Sequence, residues 1–145
     1  RICGLVVPGF PAAHRTTVGG YQLLDGEPIL MGPASRDPFT PVRHSGVAGI
    51  IHEQTQLTTT NIGLDVVMGD TSTLADRLTR AAQDAELVIV DSVTDDDQQR
   101  IATAASALES DERSWVVFLS GPFGATYAQR WEFVHMLIEP IPFWR

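Results

Sequence analysis

Four segments carry residues whose types and spacing could do chemistry. The first is Pro8-Gly9-Phe10-Pro11-Ala12-Ala13-His14-Arg15-Thr16-Thr17-Val18-Gly19-Gly20. Its prolines and glycines fix the backbone, Arg15 offers a planar fork for a carboxylate, and Thr16 and Thr17 offer hydroxyls. The competing reading is an arginine that braces its own loop. The second runs Ser35-Arg36-Asp37-Pro38-Phe39-Thr40-Pro41-Val42-Arg43-His44-Ser45. Arg36 and Asp37 read as an internal ion pair, worth little if exposed. Arg43 and the amides after Ser45 would meet at a helix N-terminus, which favours anions, or Ser45 simply caps that helix. The third is Asp91, directly after Leu87-Val88-Ile89-Val90. A carboxylate there could hold a sugar hydroxyl, accept its proton or approach Mg²⁺ through water, or it could close a turn. The fourth, Ser120-Gly121-Pro122-Phe123-Gly124, is a glycine-rich turn whose amides at Gly121 and Gly124 could cradle an anion. It is neither a dinucleotide fingerprint nor a P-loop.

The rest of the composition narrows the chemistry. All ten basic side chains are arginine, against eighteen acidic ones, for a formal charge of −8. Lysine Schiff bases and P-loop lysines are excluded, and the acidic balance argues against nucleic acid and anionic membranes as partners. Bound anions must be held by arginine or by backbone amides. His14, His44, His52 and His135 have no metal-ligand spacing, and the single Cys3, in an apolar run, reads as a buried thiol. No metal site and no catalytic residue is assigned. A reducing cytoplasm is the expected location.

These segments must be positioned by a folded core. With 145 residues, 43% of them apolar, the chain fits one domain over residues 1–145. Residues 2–7 read as a buried strand, 10–20 as an irregular loop, and 21–24 with 28–31 as a hairpin on Asp25-Gly26, with Pro28 on an edge. A short helix is expected from Ser45 to about Gln54, and a strand over 63–68. A helix follows Asp70-Thr71-Ser72, with Leu74, Leu78, Ala81 and Ala82 on one face. After a strand over 86–90, Thr94 and Asp97 have capping-box spacing ahead of another helix. A strand over 115–119 and a last helix to about Leu137 complete the series. The expected fold is α/β: a parallel sheet of βαβ units with helices on both faces and a β-hairpin insertion near the N-terminus.

The two N-terminal loops, with Leu-Leu-Asp-Gly-Glu-Pro-Ile between them, closely resemble the four-carbon acid sugar kinases. The resemblance is strong over residues 4–55 and looser at 87–97 and 119–125. It implies an ATP-dependent enzyme that phosphorylates threonate, erythronate or a 3-oxo-tetronate, with a substrate-binding N-terminal domain and a nucleotide-binding C-terminal one. Arg15, Thr16 and Thr17 then correspond to the family's Arg-Thr-Thr loop, Arg36 and Asp37 to its Arg-Asp, and Arg43 and Ser45 to the segment after it. Arginine would meet the substrate carboxylate, and Asp91 would face the cleft.

The departures matter too. The family's Asp-Asp-x-Thr-Gly and Asp-Ser-Thr-Leu-Arg-Gly segments do not occur in this sequence, nor does its nucleotide domain, and His14 replaces a small residue. The chain is therefore expected to be the later part of the substrate domain. ATP and Mg²⁺ would be used by the full-length enzyme and not bound here, and the missing nucleotide-binding domain would be a partner. The alternative is a stand-alone, non-catalytic ligand-binding or scaffold domain derived from that fold.

Overall fold

The computed structural model describes residues 2–109, 114–119 and 123–128. Strand β1 (Ile2–Val7) leads into an antiparallel unit of β2 (Arg15–Val18), β3 (Tyr21–Leu24) and β4 (Glu27–Pro28). Helix α1 (Val47–His52), β5 (Thr59–Ile62), α2 (Leu64–Val67) and α3 (Thr71–Asp84) follow. Then come β6 (Leu87–Val90), α4 (Asp95–Ser106), β7 (Ser114–Leu119) and α5 (Phe123–Ala128).

The main sheet has the order β5-β6-β1-β7, and every pairing is parallel. Its inner strands are buried on both faces, which is why β6 is an unbroken apolar run. On one face, Leu5, Val7, Val88 and Val90 pack with Leu74 and Leu78 of α3, Ile101 of α4 and Phe123 of α5. On the other face, Val6, Leu87 and Ile89 pack with Val47, Ala48 and Ile51 of α1. This is the α/β architecture expected from the alternation of strands and helices. Cys3 is buried within it. No helix among the described residues is long and apolar enough to cross a membrane.

Four local expectations change. The hairpin supplies two strands of a three-stranded sheet, order β2-β3-β4, and β2 lies in the segment read as irregular loop. Both of its turns are two residues long with positive φ throughout, Gly19-Gly20 (60° and 75°) and Asp25-Gly26 (52° and 82°). That conformation matches the twist of paired strands. Pro28 does sit in the edge strand. The strand expected over 63–68 is helix α2, and the strand is the more polar β5 just before it. Gly46, not Ser45, is the N-cap of α1, because the Ser45 hydroxyl accepts the Leu30 amide at 3.1 Å.

Two other signals match the structure. Leu74, Leu78 and Ala82 form the buried stripe of α3. At α4, the Thr94 hydroxyl accepts the Asp97 amide at 3.1 Å while the Asp97 carboxylate accepts the Thr94 amide at 2.8 Å. The expected extension of the last helix to about Leu137 falls outside the described residues, as does Gly121.

Candidate functional site

Chain connections diverge beyond the carboxyl ends of β1 and β6. The chain leaves β1 toward the α1 face and leaves β6 for α4 on the other face. Open α/β sheets commonly bind ligands in such a crevice. Here the insertion fills it. Thr17 donates its amide to the Ser92 carbonyl at 2.9 Å and accepts the Ser92 amide at 3.1 Å. The buried Thr17 hydroxyl donates to Gln22 Oε1 at 3.1 Å, and Gln98 Nε2 donates to the Gly9 carbonyl at 2.8 Å. Asp91, wholly buried, accepts the amides of Gly19 and Gly20, the latter at 2.9 Å.

The open space lies beside this plug, on the α1 face. A cleft of about 720 Å³ runs between the Gly19-Gly20 turn, Tyr21, Leu30 and Met31, the segment from Arg43 to Gly49, and Thr59, Thr60 and Asn61 of β5. Its size is that of a small-molecule site. Its polar lining is Arg43, His44, Ser45, Thr59, Thr60 and Asn61, and among the described residues no acidic side chain lines it. Arg43 brings a full positive charge to this lining, while the Asp91 carboxylate lies behind the Gly19-Gly20 turn. His44 is turned toward Glu53, Nε2 to Oε1 3.4 Å. The hydroxyl of Thr59 lies 3.4 Å from His52 Nε2.

The structure brings some predicted residues to the cleft and leaves others apart. Arg43 and Ser45 line it. Arg15 and Thr16 lie on β2, opposite Leu24 and Leu23, and neither lines the cleft. The Nε of Arg15 is buried without a hydrogen-bond partner. Thr17 is buried beneath the turn. Arg36 ends a 3-10 turn over Pro33–Arg36, exposed. The expected Arg36–Asp37 ion pair does not form. Asp37 instead closes its own loop, accepting the amides of Phe39 and Thr40, each at 2.8 Å. The Thr40 and Phe39 amides hold its carboxyl below the ordinary value of 3.8. Asp91 supports the cleft wall from behind with its carboxylate turned to backbone. Gly124 lies in α5, apart from the cleft.

Gly19 and Gly20 enter the sequence reading only as backbone of the first loop, and Tyr21, Thr60 and Asn61 carry no site signal there. The Gly-Gly dipeptide is a hairpin-turn signal and was available. The polar Thr59-Thr60-Asn61 on a sheet edge had no comparable mark.

Taken together, these features define an α/β domain with a small-molecule cleft lined by arginine and by neutral polar groups. The chain belongs to the sugar-binding N-terminal domain family of the four-carbon acid sugar kinases, whose model matches residues 2–127. It is 36% identical over 107 residues to a D-threonate kinase of Salmonella typhimurium, covering 72% of this chain and 25% of that protein. It is 33% identical over 102 residues to a D-erythronate kinase of Heliobacterium modesticaldum, covering 70% of this chain and 23% of that one. The chain thus spans about a quarter of the length of these curated relatives. A solved domain of unknown function from Bordetella bronchiseptica, a domain-swapped dimer with bound citrate, superposes with a TM-score of 0.70 at 28% identity. That match covers 89% of this chain and 30% of the other.

Proposed function

We propose that this domain is the substrate-binding portion of an ATP-dependent kinase that phosphorylates a four-carbon acid sugar of the threonate, erythronate or 3-oxo-tetronate type. The observation that carries this reading is the cleft in which Arg43 stands among Ser45, Thr60 and Asn61. A guanidinium bonds a carboxylate through two parallel N–H groups, and hydroxyl and amide groups match the hydroxyls of a polyol. The names of the curated relatives support the substrate class.

In this role the domain binds and orients. Arg43 fixes the carboxylate end, and Thr60 and Asn61 of β5 fix the hydroxyl end. Such positioning supplies most of what the protein contributes to phosphoryl transfer. On this reading ATP and Mg²⁺ are used by the full-length enzyme rather than bound by this domain, and the catalytic base is left unassigned.

Calorimetry of the full-length parent protein with D-threonate and D-erythronate tests the reading. Saturable binding of one of them is expected, and binding of neither would contradict it. A second reading is a stand-alone, non-catalytic ligand-binding or scaffold domain derived from that fold, favoured by the family motifs that do not occur in this sequence. The coding sequence on either side of this chain separates the two. An Asp-Asp-x-Thr-Gly segment upstream and a glycine-rich nucleotide domain downstream would mark the kinase.

A further inference from the structure

We propose that Asp91 is a positioning residue that sets the geometry of the acid-sugar cleft through a hydrogen-bond relay, without touching the substrate. This inference rests on the substrate-binding reading above and extends it to a residue behind the cleft wall.

The relay begins in the core. Asp91 directly follows β6, all four of whose residues are buried, and its amide donates to the Ile62 carbonyl at 3.0 Å. The carboxylate is thus anchored at the crest of the sheet. Gly19 and Gly20, at φ values of 60° and 75°, turn two successive amides toward it. Consecutive amides so arranged form an anion-binding concavity, here occupied by the protein's own carboxylate. Among the described residues Asp91 makes no ion pair, so these two bonds carry its burial.

From the turn the relay passes to the opposite wall. The Gly20 carbonyl accepts the Val47 amide at 2.8 Å, at the first residue of α1. The Gln22 amide donates to the Ser45 carbonyl at 2.8 Å, and Tyr21 bridges to Gly46. The segment that bears Arg43 and Ser45 is thereby hung from the insertion, whose Gly19-Gly20 turn is held by Asp91 while Thr17 is paired with Ser92. Loosening the first link should let Arg43 move relative to Thr60 and Asn61 on β5. A shift of an ångström in such a constellation costs much of its fit.

The test uses the full-length parent protein, with D-threonate and D-erythronate as probes. Asp91→Asn keeps the size but sets an NH₂ group against one of the two glycine amides. The expected result is a fall in affinity of about tenfold. Upfield shifts of the Gly19 and Gly20 amide resonances should accompany it. Leu78→Ala, in the core on the far side of the sheet, is the control for stability alone. It should lower the melting temperature while leaving affinity and both glycine resonances unchanged well below that temperature.

If Asp91→Asn does not fold, Val47→Pro breaks the same relay one link on. It deletes the amide that meets Gly20 at a helix position where proline is tolerated, and a similar loss is expected. Unchanged affinity in whichever of these variants folds, with wild-type binding intact, would overturn the relay. A wild type that binds neither acid would overturn the substrate reading. The glycine resonances report on the relay's first link in either case.

Discussion

Gly20 and Asn61 stand so close that a Cβ on Gly20 would lie 3.3 Å from both Cγ and Oδ1 of the Asn61 side chain. The turn and the edge strand thus touch at the cleft lining, and the absence of a side chain on one leaves room for the amide of the other. Gly20 also has φ of 75°, a conformation costly for other residues. Gly20→Ala is expected to destabilise the domain by about 1–2 kcal/mol. It should also weaken acid-sugar binding by displacing Asn61. Urea unfolding and calorimetry on the same preparation check both effects.

Thr94 and Asp97 exchange reciprocal bonds at the start of α4, and Asp97 additionally accepts the Val93 amide at 2.9 Å. Thr94→Ala should cost about 1 kcal/mol of stability. The expected outcome is a lower urea midpoint at an unchanged slope, with ligand affinity as in the wild type, because this cap lies outside the cleft lining.

What could be read in the sequence divides along physical lines. The Thr94–Asp97 cap and the Leu74–Leu78–Ala82 stripe depend on neighbours a few residues away, and both are found as expected. β6 was legible because burial on both faces leaves an unbroken apolar run. β5 was not, because it is an edge strand whose Thr59, Thr60 and Asn61 line the cleft, while the Val66-Val67 pair of α2 mimics a strand. β2 was hidden by the prolines and glycines around it. Its pairing depends on the Gly19-Gly20 turn and on Ser92, more than seventy residues away. Of the arginines in the two loops read as candidate sites, Arg43 lines the cleft and Arg15 and Arg36 do not. Only the path of the insertion across the sheet crest decides that.

Asp37 carries a pH signature. Its carboxyl is held below 3.8 by the amides of Thr40 and Phe39, so its contribution to loop order is present above the unfolded-state value. That contribution is lost as pH falls through the lower folded-state value. An NMR titration should place the Asp37 carboxyl midpoint below 3.8. Thr40 and Phe39 amide resonances should move with the same midpoint. A midpoint at or above the ordinary value would contradict the assignment.

The central claim is that Arg43 holds the carboxylate of the acid sugar. The most direct measurement is calorimetry of the full-length parent protein as wild type, Arg43→Ala and Arg36→Ala, titrated with D-threonate and D-erythronate. Loss of a charge-assisted bond of about 1.5–3 kcal/mol predicts a roughly 10- to 100-fold weaker affinity for Arg43→Ala. Its melting temperature should change little, since Arg43 is exposed, and Arg36→Ala should bind as the wild type does. Full affinity in Arg43→Ala, or its loss in Arg36→Ala alone, would contradict the account.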